Sequence, residues 1–405
     1  MEKYDVIIVG AGMAGLCLAN LLVKQTKFNV ALVGTQVPEI DSKSIRVCAF
    51  NQASINIFNY LGLGNIIAST GSCSYENVTV WQDHMNGELN FNAADLGFTC
   101  LGAVIANQQV ELALWNNIKE HERISLYCPS QAQHWSYKKN KHHITLEDGS
   151  NISSTLLFGA DGKKSWVRDA VGIDVTTSSY NQAAIVATIA TEKPHQHTAW
   201  QKFLATGPLA LLPLTDSNKV SIVWSANTDY AEYLMKASDE EFATLLSKAA
   251  DFCLGDLKLD SKRFSFPLIS QHAKQYVKRS VAILGDAAHV AHPLAGQGVN
   301  AGLLDAAVLA ETISAAANQD SDFQRALISY QKQRRGLNTG LIFAMSQLKN
   351  IFSNSNYLLS NSRGFGMNLI NKSSFAKKVL AKHALGITNN LPKEIELHNL
   401  GTMPD

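Results

Sequence analysis

Two aspartates, Asp161 and Asp286, each stand at the end of a short apolar run, in Leu156-Leu157-Phe158-Gly159-Ala160-Asp161-Gly162 and Val281-Ala282-Ile283-Leu284-Gly285-Asp286. Runs of this kind read as fully buried strands. A carboxylate at a strand's end can accept hydrogen bonds from a polyol. It can equally serve as a turn former or a helix cap. Beyond Asp286 come His289, His292, Pro293, Gly296 and Gly298, and from Val299 the spacing of Leu303, Leu304, Val308 and Leu309 is helical. Strand, glycine-bearing loop and helix together make a ligand-binding corner, because the unpaired N–H groups at a helix start carry roughly half a positive charge. Such a corner suits an electron-rich ring system.

A third segment joins these two. Tyr4 to Val9 reads as a buried strand and runs directly into Gly10-Ala11-Gly12-Met13-Ala14-Gly15 and an apolar helical stretch. This is the dinucleotide fingerprint GxGxxG in its required strand-to-helix setting. Gly10 permits the tight turn, Gly12 lets a pyrophosphate approach the backbone, and Gly15 allows close helix-to-strand packing. The next strand, Asn29 to Val33, ends at Gly34, where the fingerprint expects an acid to hold a ribose. Glu39 and Asp41 are the nearest substitutes, so the expectation is moderate cofactor affinity that Gly34→Glu raises. Arg46, placed ahead of a predicted helix in SIRVCAFNQAS, is either a solvated charge or a phosphate or flavin contact. His289 and His292 read first as loop-structuring residues and second as proton carriers.

The elements that position these residues imply an α/β chain: a Rossmann-like FAD-binding domain interleaved with a mostly antiparallel β-sheet and followed by C-terminal helices. The expected division is 1–75, 95–180 and 270–335 for cofactor binding, 76–94 and 181–269 for a substrate-domain sheet, 336–390 for helices, and 391–405 for a tail. One helix, 239–249, interrupts the strand-rich region, and 323–348 and 362–385 each read as a single helix. The last is amphipathic and basic, a pattern that lies on membranes or forms a solvated face.

Composition excludes several classes. The chain has 405 residues, 46% hydrophobic and 17% charged, with a net charge of +1, so it is globular and carries no field that draws nucleic acid. Its six cysteines show no metal-binding spacing and fit a reducing cytoplasm. The apolar run from Val6 to Val23 is interrupted by three glycines and Asn20, against a membrane span.

GAGMAG at 10–15, FGADGKKSWVR at 158–168 and GDAAHVAHPLAGQGVN at 285–300 resemble the three flavin motifs of the aromatic-ring hydroxylases. RVCAFNQAS, ALWN, GPLALLPL and SIVWS are further similar to the ubiquinone-biosynthesis hydroxylases, most of all to the group acting on 2-octaprenylphenol. The resemblance implies that Gly10, Gly12 and Gly15 bind the ADP half of FAD and Arg46 contacts the flavin side. Asp161 and Gly162 serve the pyrophosphate and nicotinamide access, and Asp286 holds the ribityl chain. Gly298, Val299 and Asn300 place backbone N–H groups under the ring system, Pro293 sits by its reacting edge, and Asn107 stands where many relatives carry Arg or Gln. The implied activity is hydroxylation of a prenylated phenol, with NADPH or NADH as transient reductant and O2 as co-substrate. Expected surroundings are the cytoplasm or the surface of the inner membrane, in a homo-oligomer, beside other ubiquinone-biosynthesis proteins. Three alternatives stay open: a hydroxylase of a small soluble aromatic, a flavin reductase, and a flavin-poor scaffold.

Overall fold

The computed structural model describes residues 1–41, 46–82, 87–292, 296–319, 321–352, 357–387 and 391–396. Five parallel strands form its spine, in the order Val281–Ile283, Asn151–Gly159, Glu2–Val9, Val30–Val33 and Ile124–Tyr127. Val281–Ile283, Val30–Val33 and the second halves of Glu2–Val9 and Asn151–Gly159 are apolar without alternation because helices and neighbouring structure cover both faces. Val6, Ile7, Ile8, Leu156, Leu157, Phe158 and Val281 to Ile283 are at most 1% exposed. The architecture is the expected α/β one.

Two helices pack on this spine and on each other: Met13–Gln25, the fingerprint helix, and Gln297–Asn318, the corner helix. Small residues set their approach, since a Cβ on Gly302 would lie 3.3 Å from the Gly285 Cα and 3.8 Å from the Ala14 Cβ. The corner helix is apolar enough to cross a membrane by composition, yet 72% of its apolar window is buried in the protein. Burial of Leu303, Leu309 and Ile313, each at 0% exposure, stabilises the fold by about 1.5–3 kcal/mol per side chain.

A nine-stranded sheet stands beside the spine, organised on the 17-residue strand Val175–Thr191. It is antiparallel except where Thr198–Leu204 pairs with Asn77–Gln82. Period-two alternation divides its side chains. Ile185, Leu209, Leu211, Ile222 and Trp224 form a closed core with Phe242 and Leu246. On the other face Val80, Val186, Gln201, Ala210, Leu212 and Val223 are only half-buried. That inner face looks toward the corner, as Gln182 and Phe266 contact His292 and Arg46.

Several local expectations are corrected. Arg46 precedes a strand, Val47–Asn51, which pairs with Gly102–Ala106, and the helix starts only at Gln52. A second helix, Thr228–Lys236, accompanies Asp239–Ala249. The sheet overruns the 181–269 segment, as its strands begin at Val175, end at Ala273 and return at His289–Val290. Residues 362–385 are two helices, Tyr357–Lys372 and Ser374–Ala384, divided where the Ser373 side chain accepts the Ala376 N–H at 3.3 Å.

Candidate functional site

The glycines of the fingerprint separate into two kinds. A Cβ on Gly10 would lie 2.2 Å from the Ala160 carbonyl oxygen, and one on Gly15 would lie 1.9 Å from the Gly10 oxygen. These two are glycine because turn, strand and helix close on one another. Gly12 has φ −81°, open to any residue, and a Cβ there would meet nothing within 4 Å. Gly298, in the first turn of the corner helix, likewise faces open space. Packing requires neither, so the backbone they bare is available to a ligand.

The start of the fingerprint helix favours negative charge. Gly12 offers it no side-chain cap and its first turn holds no acid. The Glu111 carboxyl, whose pKa burial raises, is drawn back toward ionisation by the Met13 N–H and the Arg46 charge. Arg46 is exposed and lies over the Phe266 ring at 4.6 Å, while its carbonyl accepts the Asn107 N–H at 3.1 Å. The Asn107 Oδ1 is buried with no hydrogen-bond partner among the described residues. Anion-seeking N–H groups and a guanidinium fit the phosphates of a flavin dinucleotide, and the unpaired amide oxygen of Asn107 on the adjoining segment fits an N–H on its ring edge.

The two strand-ending acids do different work. Asp161 accepts hydrogen bonds from the Ser165 hydroxyl at 2.5 Å and the Val167 N–H at 3.0 Å, so its carboxylate is occupied in holding the helix Trp166–Ala170. Gly162 beside it needs φ +80° and faces open space. Arg168 was not among the expected site residues. It is 4% exposed and donates to the Lys163 and Ala287 carbonyls at 3.1 and 3.2 Å, tying the Asp161 loop to the Asp286 corner. Asp286 itself opens to solvent. Desolvation raises its carboxyl pKa, with His289 and Lys163 opposing. Of the two, Asp286 is the acid with a side chain left for a polyol.

Behind the corner lies an ion cluster that the sequence reading did not find. Asp305, 0% exposed on the corner helix, accepts hydrogen bonds from His289 Nε2 at 2.6 Å, Arg334 Nε at 2.7 Å, Asn338 Nδ2 at 3.1 Å and the Gly285 N–H at 3.1 Å. Burial alone would raise its pKa, but the charges and hydrogen bonds of His289 and Arg334 hold it well below the usual carboxylate range. His289 is therefore a positioning residue facing inward, its ring stacked on Tyr276 with centroids 6.0 Å apart, and the proton-carrier reading of it is withdrawn. A lone acid inside AGLLDAAVLA was the available signal, since a charge in an apolar helix demands a partner.

His292 is fully buried, hydrogen-bonded to Gln182 Oε1 at 3.2 Å and set edge-on to Tyr180. Burial first, then the charge of Lys349, pushes its pKa down to about 4. It is neutral near pH 7 and anchors loop to sheet. The expected role of Pro293 falls on residues outside those described. Val299 is half-buried against the main core. The Asn300 side chain is fully committed, donating to the Ala49 and Gly296 carbonyls and accepting from the Asn51 N–H and the Ser54 hydroxyl. Only its backbone is left for a ring.

Gly34 is occupied territory. A Cβ there would lie 2.4 Å from the Ala11 Cβ and 2.8 Å from Cys128 Sγ. No acid fits that position while Ala11 is present, and Asp41 lends its N–H to Gln108 at 3.0 Å.

The FAD binding domain family matches residues 3–342. The chain is 31% identical to the ubiquinone biosynthesis monooxygenase COQ6 of Mus musculus over 94% of its own length and 90% of that protein. It is 30% identical to the 3-demethoxyubiquinol 3-hydroxylase of Escherichia coli, covering 95% of this chain and 99% of the relative. Among solved structures, PqsL of P. aeruginosa in complex with 2-aminobenzoylacetate shares the fold at TM-score 0.78 and 21% identity, with 90% of this chain and all of that one covered. Klebsiella pneumoniae HpxO complexed with FAD and uric acid does so at TM-score 0.72 and 17% identity, over 94% and 97%. With its fingerprint, corner and open glycines in place, this chain belongs to the FAD-binding-domain family, in its branch of ubiquinone-biosynthesis monooxygenases.

Proposed function

We propose that this chain hydroxylates the aromatic ring of a prenylated phenol in ubiquinone biosynthesis, with electrons delivered from NADPH or NADH through FAD and with O2 as co-substrate. The observation that carries this reading is the half-buried, mostly apolar face of the nine-stranded sheet, where Val80, Val186, Ala210, Leu212 and Val223 lie with Gln201 among them, set opposite the corner. Phe203 extends it and stacks on Phe352 with centroids 4.0 Å apart. A wall of this composition receives an apolar substrate and keeps water from the reacting edge.

FAD, when bound, supplies two-electron reduction by a nicotinamide and the activation of oxygen. The protein's part is placement. The start of the fingerprint helix and Arg46 would hold the phosphates, Asp286 would hold the ribityl hydroxyls, and the backbone N–H groups of Gly298, Val299 and Asn300 would hold the ring system. A phenol activates its own ring by oxygen donation, so no charged base is required, and the loop histidine His292 is held neutral by burial with a pKa of about 4.

The test compares 2-octaprenylphenol with the same phenol lacking its tail, using FAD-loaded protein and NADPH, and reads the oxygenated product by mass spectrometry. Preferential oxygenation of the tailed phenol supports the proposal. Turnover of the tail-less phenol alone moves the reading to a small soluble aromatic. Peroxide without product indicates a reductase, and protein that takes up no flavin indicates a scaffold.

A further inference from the structure

We infer that the two C-terminal helices dock this enzyme on an anionic lipid bilayer. The helix Tyr357–Lys372 is fastened on one side: Asn368 Oδ1 accepts the Glu88 N–H at 3.3 Å and Asn371 Oδ1 accepts the Asn90 N–H at 3.1 Å. It thereby covers Glu88–Asn92, the edge strand of the nine-stranded sheet, and buries Gly364 and Met367. Its other side turns out Phe365 at 72% exposure and Leu369 at 60%, one helical turn apart, with Lys372 following. The helix Ser374–Ala384 repeats the arrangement. Ala381 is buried, while Phe375 is 79% exposed, Leu380 45% and Val379 41%, beside exposed Lys378 and Lys382.

Single exposed apolar residues are ordinary, but two phenylalanines this far out of a fold, each one turn from another exposed aliphatic, are not. Charge selects the occupant. Residues 323–393 hold eleven Lys and Arg and no Asp or Glu, whereas the whole chain holds 35 basic and 34 acidic residues. The rest of the chain is thus acidic on balance, while the two docking helices carry Arg363, Lys372, Lys377, Lys378 and Lys382 and no acid; Glu394 and Glu396 come only in the short helix Lys393–Glu396 that follows. Protein interfaces are depleted in lysine at their centres, while helices with Lys on one part of the face and Phe or Leu on another sit in the headgroup region of anionic membranes. Phe352, at the end of the preceding helix Phe323–Phe352, stacks on Phe203 of the apolar wall. The bilayer-facing helices therefore follow in the chain on the helix whose end meets the apolar wall, the order needed for a substrate drawn from lipid.

This inference goes beyond the proposed reaction, and its test reads binding alone, so either can fail without the other. The FAD-loaded full chain is sedimented with vesicles of equal parts phosphatidylglycerol and phosphatidylcholine, and with phosphatidylcholine vesicles. Binding is expected to the mixed vesicles and to weaken with added salt. Each lysine near such a surface contributes about fivefold in affinity, so Lys372→Gln, Lys378→Gln and Lys382→Gln together should cost roughly a hundredfold. Phe365→Ser with Phe375→Ser should cost at least tenfold without lowering the melting temperature, since both side chains are exposed. The inference is overturned by no sedimentation with mixed vesicles, or by variants that bind like the parent. It is also overturned if the phenylalanine variant dissociates a homo-oligomer in light scattering while its vesicle affinity is unchanged.

Discussion

Gly12→Val should abolish tight FAD binding while leaving the apoprotein folded. Gly12 is the fingerprint glycine whose absent side chain nothing in the protein uses: its φ of −81° suits valine, and a Cβ would meet no atom within 4 Å. The added side chain instead occupies the approach to the Met13 N–H and its neighbours at the helix start. Losing one or two hydrogen bonds to a phosphate costs about 1.5–3 kcal/mol each, and moving the anion off the helix end costs about 0.3–1 kcal/mol more. A loss of about 3–5 kcal/mol is roughly two to four decades in Kd. Gly15→Val is the contrast, since its Cβ would fall 1.9 Å from the Gly10 oxygen and must force the helix off the strand. The assay is flavin fluorescence titration of apoprotein beside thermal melts of the same preparations. The expected pattern is lost affinity at an unchanged melting temperature for Gly12→Val, and a lowered melting temperature for Gly15→Val. An FAD Kd within twofold of the parent for Gly12→Val would refute the cradle.

Three further outcomes are expected. Asp305→Asn should destabilise the fold by about 3–5 kcal/mol in denaturant melts, because it leaves Arg334 buried without its counter-charge; a loss under about 1 kcal/mol would contradict the cluster's role. Gly34→Glu should not raise FAD affinity and should cost about 1–3 kcal/mol of stability by overpacking, with Ala11→Gly relieving the contact at 2.4 Å and recovering part of that loss. His142 and His292 are both 0% exposed with pKa values pushed by burial to about 4. The unfolded chain, with histidine pKa near ~6.5, takes up these protons first. Stability should therefore fall as pH drops from about 6.5 to about 4, by about 3 kcal/mol per histidine at the acid end. His292→Gln should flatten the melting temperature profile across that window, and an unchanged slope would sink the assignment.

Local chemistry was legible in the sequence wherever one segment carried it whole. The parallel strands announce themselves as unbroken apolar runs because both faces are covered, and GAGMAG sits between strand and helix as its mechanism requires. What the sequence hid was set by partners far along the chain. His289, three residues past Asp286, read first as loop-structuring and second as a proton carrier, and it turns inward to Asp305 while only Asp286 stays open. The missing acid at Gly34 looked like a weakness, yet the position is crowded: a side chain there would meet the Ala11 methyl and Cys128 Sγ. The break at Ser373 was masked because apolar spacing continues across Ser373-Ser374, while the deciding event is a serine side chain capping the next helix. The strand at Val47–Asn51 forms because Gly102–Ala106 is there to pair with it, a contact no local propensity reports.

The Asp305 cluster also explains how the corner keeps its shape. One carboxylate oxygen receives both the Gly285 N–H and His289, and the other receives Arg334 and Asn338 from the neighbouring helix. The strand feeding the corner is held from the same side, where the Tyr330 hydroxyl donates to the Ile283 carbonyl at 2.9 Å. Asp286 follows directly on Gly285, whose φ of +58° fixes the turn. A buried ion group therefore aims the exposed acid, and the helix start bearing Gly298 is fixed to the same turn through Asp305 itself. Groups so aimed need little rearrangement when a ligand arrives. It follows that Asp305→Asn, in any fraction that folds, should lose FAD affinity although residue 305 faces away from the cofactor. Affinity equal to the parent's in that folded fraction would mean that the corner is held by the sheet alone and that the ion cluster serves stability only.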